Sequence, residues 1–367
     1  MRILYITEHS DRPEAETFIA VHQAGHDITV VCPSTAPQLE RIRAVGIRVV
    51  EHRCPSRIDR ASIRLIRSLL SESPTDIVHA FTNKTVSNAV LASRGFKHRL
   101  IAYRGIVANV SYLDPTSWMT YLNPRVDCIV CVADAIRQYF YAMTLCGIPL
   151  PVKKALTVYK GHKLEWYRDS PVSLQQFGIT PDSFVIGCIA NNRPRKGLEY
   201  LIEAFEQISN LADVHLLLIG NMSQGKLLDR IENSTARERI HLTGFRNDAP
   251  QIIASCQTAV LPAIKREGLP KAIIEAMVYR VPPIVTDSGG SPELIINGES
   301  GLIVPVRDSR AIAKAILSLH ADEPARQRMG EKAQQRIDQA FNHRHTVEKT
   351  LALYDDLLAP GNGPASK

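Results

Sequence analysis

Short apolar runs rich in β-branched residues recur along this chain, and segments whose apolar positions return every three or four residues separate them. The runs predict strands at 2–6, 28–32, 48–50, 76–80, 99–103, 128–132 and 155–158, with helical patterns at 61–70 and 86–93 among them. The second half repeats the scheme more cleanly. Strands are expected at 184–189, 214–219, 239–242, 258–261, 283–285 and 302–304, and helices at 198–208, 225–233, 270–279 and 310–319. Strand and helix alternating in this way imply parallel sheets covered on both faces, an α/β architecture. The pattern is weakest over 161–182, where Pro171, Gly178 and Pro181 interrupt it. That places a boundary between a domain at 1–165 and another at 166–345, followed by a terminal helix at 346–360 and a mobile tail at 361–367.

Composition supports two domains, because 367 residues exceed what one hydrophobic core usually organises. Hydrophobic content of 45% and charged content of 22% are ordinary globular values. No stretch approaches the roughly 20 apolar residues that span a bilayer, and the apolar start is too brief for a signal peptide, so the cytoplasm is the expected compartment. The seven cysteines are an odd count scattered through apolar segments, as suits reduced thiols. Cys128 and Cys131 have metal-like spacing but sit on an expected strand, where residues three apart face opposite sides. Charge is uneven: residues 1–170 carry 22 Lys/Arg against 15 Asp/Glu, whereas 171–367 carry 22 of each.

The chemistry concentrates in the second half. After the strand ending Val260, Leu261 come Glu267, Gly268, Leu269 and Pro270, then a helical stretch carrying Glu275. Pro270 suits a first helical position, and Leu269, Ala272, Ile273, Ala276 and Met277 make one apolar stripe. The free amides of Gly268 and Leu269 at a positive helix end favour a phosphate or diphosphate. Carboxylates cannot bind phosphate but accept hydrogen bonds from sugar hydroxyls, so Glu267 and Glu275 suit a ribose and a second sugar. The plainer alternative is a surface helix with an incidental acid at each end. Earlier, Asn191, Asn192, Arg193, Pro194, Arg195, Lys196 and Gly197 form a basic loop between strand and helix. Lys196 there can neutralise charge that develops on a departing phosphate; a merely solvated basic loop is the other reading.

These residues resemble the retaining glycosyltransferases of family four, whose signature is two glutamates separated by seven residues. Glu267, Gly268, Pro270, Glu275 and Ala276 match it, and the likeness continues through residues 281–295, Asn297, Gly298, Gly301 and Leu302. The resemblance implies the GT-B fold: two Rossmann-like domains facing each other across a cleft, with a terminal helix crossing back to the first. It implies a nucleotide sugar bound by the second domain and an acceptor, a cell-envelope glycan or lipid-linked molecule, bound by the first. Glu275 would hold the ribose hydroxyls and Glu267 the donor sugar. The family loop usually carries an Arg where Asn191 stands; Arg193 or Arg195 would substitute, or Asn191 would bind a phosphate oxygen itself.

The first half departs from the family. The loop after the first strand, from Thr7 to Pro13, contains no glycine. Arg104 stands where many members have a His, and His79 stands at a strand end with Phe81 replacing a second His. Both are expected to reach substrate, Arg104 through a phosphate or acidic group, although a lone His is commonly structural. No D-x-D motif or compact His/Cys/carboxylate cluster suggests a metal. The expectation is therefore no metal and no cofactor, with same-face attack by the acceptor assisted by the leaving phosphate. A sugar-nucleotide epimerase of the same fold and a degenerate, non-catalytic binding protein are the alternatives.

Arg57, Arg60, Arg64 and Arg67 recur at three- and four-residue steps, with Ile58, Ile63, Leu65, Ile66, Leu69 and Leu70 opposite. As a helix they form one basic stripe, either solvated or touching an anionic membrane surface on the inner face of the cytoplasmic membrane. Nucleic acid is not an expected partner, since its recognised motifs are absent.

Overall fold

The alternation of strand and helix closes into two separate parallel sheets. A computed structural model describes residues 1–149, 154–222 and 225–360; the tail expected to be mobile, 361–367, lies outside the described residues. The chain divides into one unit made of Met1–Gly161 plus the chain from His343 onward, and a second, His162–Asn342.

In the first unit the elements run β1 (Arg2–Ile6), α1 (Arg12–Gln23), β2 (Asp27–Cys32), α2 (Leu39–Arg43), β3 (Arg48–Glu51), α3 (Arg60–Glu72), β4 (Ile77–Ala80) and α4 (Asn83–Ala92). They continue with β5 (Arg99–Arg104), α5 (Pro115–Trp118), β6 (Cys128–Cys131), α6 (Asp134–Tyr141), the short hairpin β7 (Thr144–Leu145) and β8 (Ile148–Pro149), and β9 (Ala155–Thr157). Seven strands pair in the order β3-β2-β1-β4-β5-β6-β9, all parallel. Ile3 to Ile6 and Ile77 to Ala80 are buried throughout, as strands covered on both faces must be.

The second unit contains β10 (Phe184–Ile189), α7 (Leu198–Gln207), β11 (Val214–Ile219), α8 (Lys226–Glu232), β12 (Ile240–Leu242) and α9 (Ala249–Ile253). It then adds β13 (Thr258–Leu261), α10 (Lys271–Val278), β14 (Pro283–Thr286), β15 (Leu302–Val304), α11 (Ser309–Ala321) and α12 (Glu323–Ala340). The order β12-β11-β10-β13-β14-β15 repeats the first unit's plan. Leu216, Leu218, Phe205, Ile202 and Ile316 centre its main core.

The last helix, α13 (His343–Leu358), belongs to the first unit, where Leu353 and Tyr354 join the core around Tyr5, Phe18 and Ile101. Three differences from the sequence reading have physical causes. Helix α12 has no broad apolar stripe; only Gly330, Ala333 and Ile337 are buried, and Gly330 abuts the Arg280 carbonyl so closely that a Cβ there would lie 1.9 Å from its oxygen. Pro270 caps α10 in an extended conformation (ψ 108°) instead of starting it. The first-strand loop runs directly into α1, whose first N–H groups are capped by Asp11, so no phosphate-type loop forms there.

Candidate functional site

In each unit the sheet order reverses between its first and fourth strands, and the loops leaving those two strands part to opposite faces. That point at the strands' carboxyl ends is where open α/β sheets bind ligands. In the second unit the loops after β10 and β13 meet there and are pinned together. Gly197 has φ 63°, and a Cβ on it would lie 2.2 Å from the Pro262 carbonyl oxygen. The Ile264 amide donates to the Arg195 carbonyl at 2.9 Å, and the Arg195 guanidinium to the Arg266 carbonyl at 3.4 Å. The loop after β14 closes on the same spot. Gly289, at φ 57°, would place a Cβ 2.2 Å from the Glu267 carbonyl oxygen, and the Gly290 amide donates to that oxygen at 3.2 Å. Only glycine tolerates both the positive φ and the approach.

These loops bring Lys196 and Glu267 together, with Lys196 Nζ 2.9 Å from Glu267 Oε1. Glu267 is buried, and the ammonium of Lys196 is the charge partner of its Oε1. Ser288 Oγ and Ser291 Oγ, in the loop that folds over Glu267, are buried with no hydrogen-bond partner among the described residues. The amides of Gly268 and Leu269 find no acceptor among the described residues. Glu275 is buried one helical turn on, 2.8 Å from the exposed Lys271 ammonium. It lies off the predicted apolar stripe and yet is enclosed. Helix α10 is covered nearly all round, and Ile274 and Val278 are buried as well. Asn191, Asn192 and Arg193 are exposed on the loop after β10, while Arg195 is drawn toward Arg266.

The first unit fills its corresponding point with its own side chains. Lys160 Nζ lies 2.8 Å from Asp11 and 2.9 Å from Glu14, and Thr7 Oγ1 donates to Glu14 at 3.0 Å. Burial opposes the Lys160 charge, yet Glu14, Tyr103 and Asp11 outweigh it and hold the ammonium well above the usual lysine range. His79 does not open to solvent as expected. Its ring stacks on Phe81 with centroids 4.4 Å apart, and Nδ1 meets the Tyr354 hydroxyl from α13 at 2.8 Å. Burial pushes its pKa down to about 3. His79 is thus a neutral core residue, its Nε2 unpartnered beside a cavity of about 40 Å³.

Arg104 is also buried. Its guanidinium donates to the carbonyls of Ile106 (3.0 Å) and Ala108 and to Asn83 Oδ1 (3.3 Å), and it lies over the Tyr121 ring. The basic stripe is corrected as well. Only Arg60, Arg64 and Arg67 lie on α3, while Arg57 precedes it because Asp59 caps the helix. Arg67 is spent on the Ala92 and Arg94 carbonyls, at 3.0 and 2.9 Å.

Among the described residues no group of three or more His, Cys, Asp or Glu side chains is placed to hold a metal ion. Burial pushes the Cys128 and Cys131 thiols up to about 12. No described helix is long and apolar enough to cross a membrane.

Two parallel sheets of like order give an α/β protein of the GT-B fold. A family model described as glycosyl transferases group 1 matches residues 169–336, and one for glycosyltransferase family 4 matches 16–146. The chain belongs to this family-four type of glycosyltransferase. It is 27% identical over 211 residues to N-acetyl-alpha-D-glucosaminyl L-malate synthase of Bacillus anthracis, a match covering 57% of this chain and 55% of that protein. Over 364 residues it is 24% identical to the UDP-Gal:alpha-D-GlcNAc-diphosphoundecaprenol alpha-1,3-galactosyltransferase of Escherichia coli, covering 90% and 89%. The crystal structure of Anabaena HepE in complex with UDP superposes with a TM-score of 0.79 at 21% identity, over 97% of this chain and all of that one.

Proposed function

We propose that this protein is a retaining, metal-independent glycosyltransferase that moves a hexose-type sugar from a nucleoside diphosphate to a cell-envelope glycan or lipid-linked acceptor. The observation that carries the reading is the buried Lys196–Glu267 pair next to the free amides at the start of α10. An ammonium and two amides complement a diphosphate, and the two carboxylates, Glu267 and Glu275, complement hydroxyls that donate to them. In the bound state the diphosphate draws Lys196 away, and Glu267 turns the oxygen so released to the donor sugar. Exposed Asn191, Asn192 and Arg193 supply further contacts to the phosphates, with Arg193 standing in for the arginine usual at position 191.

In the proposed reaction the acceptor oxygen attacks the anomeric carbon as the bond from that carbon to the phosphate oxygen breaks. The acceptor's proton passes to the leaving phosphate on the same face, and Lys196 stabilises the charge that develops there. The UDP held by Anabaena HepE and the UDP-galactose named for the E. coli relative support beginning with uridine donors. Work on lipid-linked glycans fits action at the inner face of the cytoplasmic membrane.

The test is a panel of UDP-, GDP- and ADP-sugars, read by thermal shift and by donor hydrolysis in EDTA. At least one donor should raise the melting temperature and turn over with chelator present. No shift with any donor, or activity that EDTA abolishes, overturns the reading. Conversion of a donor into an isomeric sugar nucleotide without acceptor would assign an epimerase instead.

A further inference from the structure

Two histidines meet at the edge of the second sheet, away from the groups assigned to the donor. Strand β12 has three residues and pairs with β11 alone, so little backbone holds it. Side chains add to that hold. Leu217 stands opposite His241, and His215 lies two residues back on the same face of β11. His215 Nδ1 and His241 Nε2 are 2.9 Å apart, and both rings are half-buried. On this face lies a short 3₁₀ turn, Leu174–Phe177, whose Leu174 joins the core of Leu217 and Ile219. His241 is hydrogen-bonded to the Phe177 backbone carbonyl.

These contacts fix where the protons sit. A carbonyl only accepts, so the His241 nitrogen that meets Phe177 carries a proton. Nε2 faces His215, so that proton is on Nδ1. A neutral imidazole has one N–H, which makes His241 Nε2 an acceptor and puts the proton between the rings on His215 Nδ1. The same rule leaves His215 Nε2 as a lone pair. The relay runs one way: His215 Nδ1–H to His241 Nε2, then His241 Nδ1–H to the Phe177 carbonyl.

Its surroundings favour the neutral rings. Burial holds both histidines below the ordinary 6.5; Arg239 lowers His215 further, and His215 and Arg237 do the same for His241. Asp213 opposes this at His215, but it pairs with His320 of α11 at 2.9 Å. Arg239 is bound to the carbonyls of Ser209, Leu211 and Val214, and Arg237 pairs with Glu232 at 3.1 Å. The Leu174–Phe177 turn and α9 carry no titratable side chain, and Arg246, over the Phe177 ring, pairs with Asp248.

Two protons can be added, with different results. The first goes to the lone pair of His215 Nε2 and leaves both hydrogen bonds intact. The second must go to His241 Nε2, where its N–H would face the His215 Nδ1–H. Two donors cannot bond, and two adjacent imidazolium rings repel. We propose that the His215–His241 relay is an acid-sensitive latch: neutral or singly protonated it ties β12 and the Leu174–Phe177 turn together, and the second proton releases the turn. The latch goes beyond the transferase reading and does not depend on it. Because the folded rings bind protons less readily than the unfolded chain, the latch is closed above about pH 6.5 and is lost as pH falls through the second step.

Nitrogen-15 histidine spectra and hydrogen exchange of the full chain, corrected for the intrinsic effect of pH, test it. Both neutral rings should show Nδ1–H, and His215 should titrate before His241. Protection of the Gly178 and Ile179 amides, which close the turn on Gln175 and Leu174, should hold through the first step and fall about tenfold or more at the second, the effect of one buried hydrogen bond lost. His241→Asn keeps an N–H for the Phe177 carbonyl without a titration, so protection should no longer respond to pH. In His215→Ala, His241 still titrates but meets no opposing N–H, so its turn should stay protected in acid. A neutral His215 bearing Nε2–H, simultaneous titration of the two rings, or wild-type pH dependence of protection in either variant overturns the proposal.

Discussion

The two units share one strand order and differ in what occupies the point where that order reverses. In the first, Lys160 lies between Asp11 and Glu14, and Tyr5, His79 and Tyr354 form a hydrogen-bonded chain beside them. In the second, Lys196 pairs with the buried Glu267, and the buried hydroxyls of Ser288 and Ser291 have no hydrogen-bond partner among the described residues. An unsatisfied buried polar group costs about 1–3 kcal/mol. Both units keep such groups near this point, Ser288 and Ser291 in the second and Ser10 and His79 in the first; the difference is that the first surrounds its ammonium with two carboxylates and the second sets one against Lys196. Topology supplies a possible site in both halves; side-chain chemistry decides which half uses it. The contrast also explains the missing glycines after β1, since a loop ending in a carboxylate-capped helix is built to hold an ammonium, not a phosphate.

The largest effect that can break this contrast is expected at Lys160. Lys160→Met leaves Asp11 and Glu14 close together and without their cation, which should cost about 3–5 kcal/mol, as breaking a buried ion pair does. Because Trp118 lies in the first unit and Trp166 in the second, denaturant titrations of single-tryptophan proteins read the units separately. The Trp118 transition should fall sharply, and donor affinity of the folded protein should not change. If donor affinity collapsed at concentrations of denaturant where Trp118 still reports a folded unit, the closed point would be part of the donor site after all.

The next effect is at Lys196. Lys196→Ala should lower donor turnover by about 10²–10³-fold, the range seen when one group stabilising developing charge is removed. It also leaves Glu267 buried without its cation, so some loss of stability in the Trp166 transition is expected alongside. Lys196→Arg keeps the charge and separates the two: restored stability with turnover still low assigns the ammonium to chemistry, and restored turnover with it assigns charge alone. Unchanged turnover in Lys196→Ala would remove Lys196 from the mechanism.

Much of the second unit was legible because its parallel strands are buried on both faces and read as continuous apolar runs, and because Lys196 and the 267–275 segment are local in sequence. The pairing of Lys196 with Glu267 was not legible, since 71 residues and a sheet crossover separate them, and two groups assigned to different parts of a ligand turn out to touch. Ser288 and Ser291 gave no signal beyond their place in a Gly-rich turn; only the packing of Gly289 on Glu267 shows that their hydroxyls are enclosed. In the first unit, Arg57 fits the spacing of a helical stripe, yet Asp59 caps the helix after it, and capping outweighed periodicity. His79 was read as facing a ligand because it sits near a strand end. The helix that covers it, α13, comes from 275 residues later.

That helix supplies the smallest of the expected effects, and the one that tests whether the first unit is closed in solution. His79 titrates near 6.5 when unfolded and at about 3 when folded, because burial disfavours its charged form. A folded pKa below the unfolded one means that the unfolded chain binds more protons between those values, so stability is complete above about pH 6.5 and falls as pH is lowered toward 3. Between pH 6.5 and 5 this one group should cost about 2 kcal/mol at 1.36 kcal/mol per unit. His98, lowered to about 4 chiefly by its own burial, adds to the same slope within the same unit. His79→Phe removes the titration while keeping an aromatic ring against Phe81. It should lower stability at pH 7 through loss of the Tyr354 bond, but make the Trp118 transition less steep with pH between 7 and 5. An unaltered pH slope in His79→Phe would mean that the imidazole already reaches water in the native protein, and that α13 lifts from the sheet often enough for the first unit's strand ends to be open as well.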